Sequence, residues 1–436
     1  MSTSNTTGVV RSTITPRQIA VAVIASTLGW SLDLYDLLLL LFVAPVVGKL
    51  FFPASSPTLS LAAVYASFAV SLMMRPVGSG VFGSIADRYG RRAAMVIAVI
   101  GVGVGTALFG VLPTLADVGV IAPIMFLILR LVQGVFLGGV VASTHTIGTE
   151  TVSERWRGVL SGFIGGGGGG FGALLASLAL AVMTAAFPGK AFAVWGWRCM
   201  FFTGIITAIF GLIAFRVLEE SPLWQGDSKA RESHAPVAML FRAPYRGVIL
   251  VNLLLAVGAG AGYYLTSGFL PSFLRVVSRL PKADTADILI IASIIAIISA
   301  TIVGAISQLI GRKYTFILVG VINIIALPLL YLYLGGLNNY GAVIFPALAI
   351  AFLGNASYAP LLIFLNERFP TAVRATGTGL SWNLGFAIGG TMPLFVSLFS
   401  GTVGGLAPTL AVFCVVLYAL YIIGAFVIPE TRGQMQ

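Results

Sequence analysis

The chain has 436 residues, of which 58% are hydrophobic and only 9% are charged. A water-soluble domain carries about a quarter charged residues, so this composition excludes a fully hydrated surface and requires lipid around the protein. The formal net charge of +11 would suggest nucleic acid in a soluble protein. In a membrane protein it indicates cationic loops that orient helices, and we expect no nucleic-acid partner.

The N-terminus is polar up to about Gln18, and the first apolar run then extends to Phe52. It is too long for a signal-peptide core and lacks a small-residue cleavage site, so it predicts a retained first membrane helix. The two cysteines, Cys199 and Cys414, are isolated in apolar sequence. Their spacing indicates neither a metal site nor a disulfide.

Long apolar stretches then alternate with short polar gaps along the chain. A membrane-spanning helix needs about 20 apolar residues. The predicted spans are 19–41, 60–82, 93–114, 121–144, 157–186, 198–218, 246–274, 286–310, 314–335, 341–365, 376–400 and 405–428. These twelve spans predict an all-α membrane protein.

The longest polar gap lies at mid-chain and divides the spans six and six. It predicts an N-terminal six-helix bundle over residues 1–218, a cytoplasmic linker over 219–245 and a C-terminal six-helix bundle over 246–436. With the N-terminus in the cytoplasm, the cytoplasmic segments carry 17 of the 25 Lys and Arg residues and the outer segments carry five. This asymmetry places both termini in the cytoplasm.

A ten-residue segment at the end of the second span recurs in the other half of the chain. Residues 83–92 read GSIADRYGRR, and residues 304–313, which begin 221 positions later, read GAISQLIGRK. A duplicated membrane protein with two pseudo-symmetric halves is the simplest explanation, and this architecture favours transport.

A second pair of anchors supports the duplication. Glu150 precedes Arg157 by seven residues, as Glu367 precedes Arg374, with an offset of 217. A weaker third pair consists of residues 220–224 (ESPLW) and 429–433 (PETRG). All these elements fall at predicted cytoplasmic helix ends.

Six consecutive glycines, Gly165 to Gly170, stand in the fifth span. A phosphate-binding loop would need a preceding strand and a following Lys-Ser or Lys-Thr, whereas Phe-Gly-Ala-Leu-Leu follows here. We therefore interpret the run as a surface for close helix packing that also lets the fifth helix bend.

The repeated segments, with Asp87, Arg88 and Gly90, resemble the loop 2–3 signature of the major facilitator superfamily. Residues 130–134 (RLVQG) are similar to its helix-four motif. Three further stretches resemble its metabolite:proton symporter branch, and the last of them also resembles sialate:proton symporters. These stretches are residues 33–36 with 48–53, residues 75–78 and residues 367–379.

Two carboxylates in the first span, Asp33 and Asp36, are three residues apart and share one helix face, with Tyr35 between them. Burial raises the pKa of a carboxyl group and a nearby cation lowers it, and together these effects suit a proton carrier. The alternative is that both aspartates only pair with cations to hold helices together. The resemblance implies that Arg130 faces Asp36, pairs with it when it is charged, and is released when it is protonated.

Two other ionisable residues in the spans, Arg75 and His145, each allow two interpretations. Arg75 either snorkels towards the cytoplasmic loop or contacts an anionic substrate. His145 is either a hydrogen-bonded interface residue, which we favour, or a proton relay. Arg275 is interpreted as an interface anchor, and His234 in the linker is given no specific role.

Polar and aromatic residues in the spans are candidates for the substrate cavity, because an amide that faces lipid is unfavourable. The predicted substrate-binding residues are Tyr35, Arg75, Gln133, Asn252, Tyr263, Asn355, Tyr358, Trp382 and Asn383.

The family resemblance also implies a cytoplasmic charge network that holds the two halves together when the protein is open to the outside. The alternative is a set of solvated loop charges. The residues concerned are Asp87, Arg91, Glu150, Arg157, Arg312, Glu367 and Arg374.

Together these features predict proton-coupled uptake of a small organic acid across the cell inner membrane by alternating access. No ATP-binding motif is visible, so we expect the proton gradient to drive transport, with no metal, no cofactor and no enzymatic activity. We expect a monomer in lipid. A proton-coupled sugar or polyol porter, a proton-driven exporter and a receptor that does not transport are the alternatives.

Overall fold

Twelve helices that are long and apolar enough to cross a membrane run through the described part of the chain. In this computed structural model, the described part is residues 15–53, 57–217, 219–220 and 236–434. The helices are α1 (Pro16–Ala44), α2 (Ala62–Tyr89), α3 (Arg91–Phe109), α4 (Ile121–Glu150), α5 (Glu154–Ala186), α6 (Phe192–Ile213), α7 (Tyr245–Val276), α8 (Asp284–Ile310), α9 (Arg312–Leu334), α10 (Tyr340–Glu367), α11 (Thr371–Phe399) and α12 (Val403–Val427). The prediction of an all-α protein with twelve spans is confirmed.

Helix packing repeats between α1–α6, here called the N-half, and α7–α12, the C-half. In the N-half, α1 packs on α5, α2 on α4 and α3 on α6, and the corresponding pairs in the C-half are α7 with α11, α8 with α10 and α9 with α12. The halves meet where α2 packs on α11 and α5 packs on α8. We call the end of the bundle that carries Tyr89, Glu150, Ile310 and Glu367 the basic face.

The glycine run lets α5 approach its neighbours in both halves. A Cβ atom on Gly170 would lie 2.7 Å from the Ser293 carbonyl oxygen of α8, and one on Gly168 would lie 2.9 Å from Trp30 Cδ1 of α1. The segment Phe163–Gly167 forms a π-helical turn. The prediction that this run serves close packing is therefore confirmed.

Irregular turns interrupt three helices of the C-half near the middle of the bundle. The α7 helix contains a π-helical turn at Tyr264–Gly268, α10 is interrupted after Ala356, and α11 is interrupted after Gly389. Such interruptions free backbone groups and re-aim side chains, and in transporters they accompany binding sites.

The predicted linker, residues 219–245, lies mostly outside the described residues, since positions 221–235 are not among them. His234 falls in that gap. The described part of the linker contains the short helix Pro236–Leu240, and α7 begins at Tyr245. The proposed boundaries of the two six-helix bundles therefore remain predictions.

Candidate functional site

A central cavity lies between the two halves. Helices α1 and α2 form its wall in the N-half, and α7, α10 and α11 form its wall in the C-half. The lining residues are Trp30, Asp33, Leu34, Leu37, Arg75, Tyr263, Tyr264, Tyr358, Trp382 and Phe386.

The charged part of this wall is a buried ion pair between α1 and α2. The Arg75 Nη2 atom lies 3.1 Å from Asp33 Oδ1, and Arg75 Nη1 lies 3.5 Å from Asp33 Oδ2. Arg75 Nε has no hydrogen-bond partner within the described parts of the chain. Snorkelling of Arg75 is therefore wrong, because its side chain is buried and held by a carboxylate at the cavity.

Asp36 lies in a second polar cluster, one helical turn further along α1. Gln133 Nε2 donates to Asp36 Oδ2 at 2.6 Å, and Gln133 Oε1 accepts from Arg130 Nη1 at 2.8 Å. The direct pairing of Asp36 with Arg130 that the resemblance implied is wrong in this structure, because the Gln133 amide lies between the two charges.

Both charges in this second cluster are incompletely paired. Asp36 Oδ1 and Arg130 Nη2 are buried and have no hydrogen-bond partner in the described ranges. The guanidinium of Arg130 instead lies over the ring of Phe109, 4.4 Å from its centroid, and near the ring of Phe126. Aromatic faces compensate a cation only in part, so proton transfer or rearrangement would change the stability of this cluster.

Aromatic side chains form most of the remaining cavity wall. Trp382 stacks on Phe386 with ring centroids 3.8 Å apart, and Trp30 packs edge-on against Trp382 at 5.4 Å. The ring of Tyr358 packs edge-on against Tyr263 at 5.3 Å. The wall thus offers flat apolar surfaces beside a single ion pair.

Four predicted substrate-binding residues are absent from the walls of the central cavity and of a second cavity that adjoins it. Tyr35 is two residues after Asp33, which is a turn of about 200° around the helix, so its side chain points away from that of Asp33. Its hydroxyl shares a hydrogen bond with the Thr203 hydroxyl. Gln133 lies in the second cluster. Asn383 donates to Ser79 Oγ at 2.5 Å.

Asn252 is the fourth residue outside the cavity walls. It is buried about three turns before Tyr263 on α7, on the side of the basic face. Its amide atoms have no hydrogen-bond partner among the residues described. The other predictions lie where expected, since Arg75, Tyr263, Tyr358 and Trp382 line the central cavity and Asn355 lines the adjoining one.

Sequence reasoning did not find Trp30 or Phe386. Both could have been found from helical spacing, since Trp30 precedes Asp33 by three residues and Phe386 follows Trp382 by four. Residues three or four apart lie on the same helix face.

The predicted charge network is present on the basic face, where all of its members except Arg157 are buried. Arg374 of the C-half lies 2.7 Å from Glu150 of the N-half, and Arg91 lies 2.5 Å from Asp87 and 3.8 Å from Glu150. Asp87 Oδ2 also accepts hydrogen bonds from the backbone nitrogen and the hydroxyl of Thr376. The alternative of solvated loop charges is wrong for these residues.

The C-half carries a related set of contacts. Arg312 lies 3.0 Å from Glu367, and Gln308 Oε1 accepts a hydrogen bond from the Gly158 backbone nitrogen at 3.2 Å. Thr431 donates to Glu367 at 2.8 Å. Arg157 is half-buried nearby and interacts electrostatically with glutamates of both halves.

His145 joins the two halves just inside the basic face. Its Nε2 atom lies 3.0 Å from Ser161 Oγ, and its Nδ1 atom lies 3.1 Å from Asn366 Nδ2 of the C-half. The prediction of a hydrogen-bonded interface histidine is confirmed. Arg275 Nη1 donates to the Leu280 carbonyl at 2.6 Å and so ties the end of α7 to the following loop.

The third repeated motif caps two helices, a role that the sequence did not reveal. Glu220 accepts from the backbone nitrogens of Arg91 and Arg92 at the start of α3, and Glu430 accepts from those of Arg312 and Lys313 at the start of α9. An anion at a helix N-terminus is favourable because the first N–H groups are otherwise unpaired.

The environment of Glu430 affects its pKa in two opposite ways. Partial burial raises the pKa of this carboxyl. Hydrogen bonds from the backbone N–H groups of Arg312, Arg432, Lys313 and Thr431 outweigh that effect and hold the pKa below its ordinary value.

Comparison with known proteins gives consistent matches over most of the chain. A family model described as the Major Facilitator Superfamily matches residues 19–393. The inner membrane metabolite transport protein YhjE of Escherichia coli strain K12 is 27% identical over 417 residues, which cover 94% of each chain. The probable 4-methylmuconolactone transporter of Cupriavidus pinatubonensis is 30% identical over 416 residues, covering 93% of this chain and 89% of that protein.

Two further matches concern a third relative and the fold. The proline/betaine transporter of Escherichia coli strain K12 is 27% identical over 384 residues, covering 85% of this chain and 76% of that protein. The solved structure of the proton:xylose symporter XylE bound to 6-bromo-6-deoxy-D-glucose has a TM-score of 0.76 at 19% identity and covers 96% of this chain and 97% of that chain. At this identity the structural match shows the shared fold alone.

Proposed function

The chain belongs to the major facilitator superfamily and is a multi-pass membrane transporter, and from this premise we propose that it takes up a small organic acid together with a proton. The observation that carries the proposal is the pair of polar clusters on α1, one at the cavity and one beside it. The relatives named for metabolites and for proline and betaine support a small organic substrate.

Arg75 is the proposed anchor for the substrate carboxylate. Its guanidinium lines the cavity, and its Nε atom has no partner in the described structure. A carboxylate that enters the cavity can use the free donor or compete with Asp33 for the bound ones. Arginine presents several donors in a fixed plane, which matches the two oxygens of a carboxylate.

Asp36 is the proposed proton carrier. A buried ionised carboxylate without a direct cation is costly, and Asp36 has only the Gln133 amide on one oxygen and nothing on the other in the described chain. Protonation removes this cost and weakens the link through Gln133 to Arg130. Only the carrier loaded with both proton and substrate, or the empty carrier, then reorients readily.

The basic face is the proposed cytoplasmic side, with both termini there and the protein in the inner membrane as a monomer. Buried ion pairs and hydrogen bonds close this face, so the structure corresponds to a state closed to the cytoplasm. Uptake then proceeds as the two six-helix bundles rock about the central cavity, driven by the proton gradient without a cofactor.

Transport by purified protein in liposomes tests the coupling. We expect Asp36→Asn to abolish uphill accumulation of an organic acid under an inward proton gradient, while substrate exchange without a gradient continues. Asparagine resembles the protonated aspartate in shape and charge, so the variant stays permanently in the loaded form. Full accumulation by Asp36→Asn would contradict the assignment, and proton-driven efflux from the cytoplasmic side would contradict uptake.

A further inference from the structure

A second cavity adjoins the central one between the two halves. Its wall comes from α1 and α5 in the N-half and from α7, α8 and α10 in the C-half. Tyr263 lines both cavities, and Tyr358 of the central cavity donates a hydrogen bond to Asn355 of the second one at 2.8 Å. The two cavities therefore share part of their wall.

Two polar side chains in the wall of the second cavity, Asn355 and Ser293, are occupied by partners within the protein. Asn355 Nδ2 donates to Ser267 Oγ at 3.0 Å and to the Ala351 carbonyl at 2.7 Å, and its Oδ1 accepts from Tyr358. Ser293 Oγ donates to the Leu289 carbonyl at 2.7 Å. A hydroxyl or carboxylate beside Asn355 or Ser293 would have to break these bonds or lose its own, which is unfavourable.

The rest of the wall is apolar and has little side-chain bulk. Leucines and a phenylalanine alternate with alanines and with two glycines of the α5 run. These residues are Leu38, Phe42, Gly169, Gly170, Leu270, Leu289, Ala292 and Ala296. Small residues leave room where the two halves face each other, and apolar side chains around that room favour an apolar occupant.

On the basis of the proposed function, we propose that the substrate is an amphipathic monocarboxylic acid with a compact apolar body. Its carboxylate binds at Arg75 in the central cavity, and its ring or branched carbon skeleton fills the second cavity, here called the apolar subsite. The same wall disfavours sugars, sugar acids and dicarboxylic acids, because most of their extra polar groups would lie against apolar side chains.

Binding of four probes to the purified full-length protein, measured by isothermal titration calorimetry, tests the subsite. Cyclohexanecarboxylate carries both features, acetate and gluconate carry the carboxylate without an apolar body, and cyclohexanol carries the body without the charge. We expect cyclohexanecarboxylate to bind at least about tenfold tighter than each of the others, a discrimination that a shaped apolar pocket can supply. Equal or tighter binding of gluconate overturns the proposal.

Variants on α8 test whether the second cavity is the subsite. Ala296→Leu fills it and should weaken cyclohexanecarboxylate about tenfold or more while leaving acetate unchanged. Leu289→Ala enlarges it and should favour the bulkier adamantanecarboxylate over the cyclohexane compound. Ala305→Leu is the control, because Ala305 is half-buried on the same helix outside the cavity.

The outcomes separate the subsite from the proposed function. If cyclohexanol binds as tightly as cyclohexanecarboxylate and both respond to Ala296→Leu, the organic-acid assignment fails while the apolar subsite stands. If neither Ala296→Leu nor Leu289→Ala changes selectivity, the subsite is rejected while proton-coupled uptake of an acid can still hold. Failure of both cyclohexyl compounds to bind also overturns the subsite.

Discussion

Each half carries a copy of the same loop on the basic face. The charged side chains around the two copies pair with different partners. In both copies a glycine with a positive φ, Gly90 at 110° and Gly311 at 103°, turns the chain into the next helix, and a distant glutamate caps that helix. In the N-half, Glu150 pairs across the interface with Arg374, whereas in the C-half Glu367 pairs with Arg312 of its own half.

A second difference lies three residues before the glycine, where Asp87 in one copy corresponds to Gln308 in the other. Each accepts a backbone N–H near the start of a helix in the opposite half, Asp87 from Thr376 and Gln308 from Gly158. Hydrogen bonds to a charged acceptor are stronger, and a helix N-terminus favours an anion. Duplication therefore supplies the geometry of both contacts. The carboxylate of Asp87 makes its contact with Thr376 the stronger of the two.

Removing the cross-interface cation should have the largest effect. Arg374→Ala removes the cation that lies 2.7 Å from Glu150, and breaking a buried pair in this way costs about 3–5 kcal/mol. We expect the basic face to open, so that the distance between spin labels at Tyr89 and Tyr314 increases. Both side chains are well exposed, and one lies in each half.

Arg312→Ala is the matched control for that experiment. It breaks the Arg312–Glu367 pair inside the C-half, so we expect a lower melting temperature without a longer distance between the labels. Equal opening in both variants would show that the two loop clusters do not differ as described.

Neutralising Asp87 should have an intermediate effect. Asp87→Asn keeps the shape of the side chain but replaces charge-assisted bonds to Thr376 and Arg91 with neutral ones, which is a loss of about 1–2 kcal/mol. Gln308→Ala removes a neutral bond worth about 1 kcal/mol. We expect the fraction of molecules open on the basic face to rise more in Asp87→Asn, and a larger rise in Gln308→Ala would reverse the proposed order.

Much of this arrangement could be predicted from the sequence because it repeats. The helix count follows from apolar run lengths, and the 221- and 217-residue offsets place Asp87, Glu150 and their counterparts at equivalent helix ends. The charge network itself was implied by the family resemblance. The capping role of Glu220 and Glu430 could not be inferred, since it depends on the return of α6 and α12 to the loops before α3 and α9.

The central site was only partly predictable because its contacts cross between helices. The spacing of Asp33 and Asp36 placed both on one face of α1, but it did not show that Arg75 is the direct partner of Asp33. Nor did it show that Gln133 separates Asp36 from Arg130. These outcomes depend on the depth at which α2 and α4 pack against α1, which has no local sequence signature.

Loss of the charged cap at Glu430 should give the smallest effect, and this effect should depend on pH. Since its pKa in the folded protein lies below the ordinary glutamate value of 4.5, the charged cap contributes stability at neutral pH and loses that contribution as the pH falls through the lowered pKa. We expect wild type to melt slightly above Glu430→Gln between pH 7 and 5, and the difference to shrink on further acidification. A difference that stayed constant or grew in acid would mean that the backbone N–H groups of α9 do not hold this carboxylate, and the two copies of the loop would then differ in their caps as well as in their ion pairs.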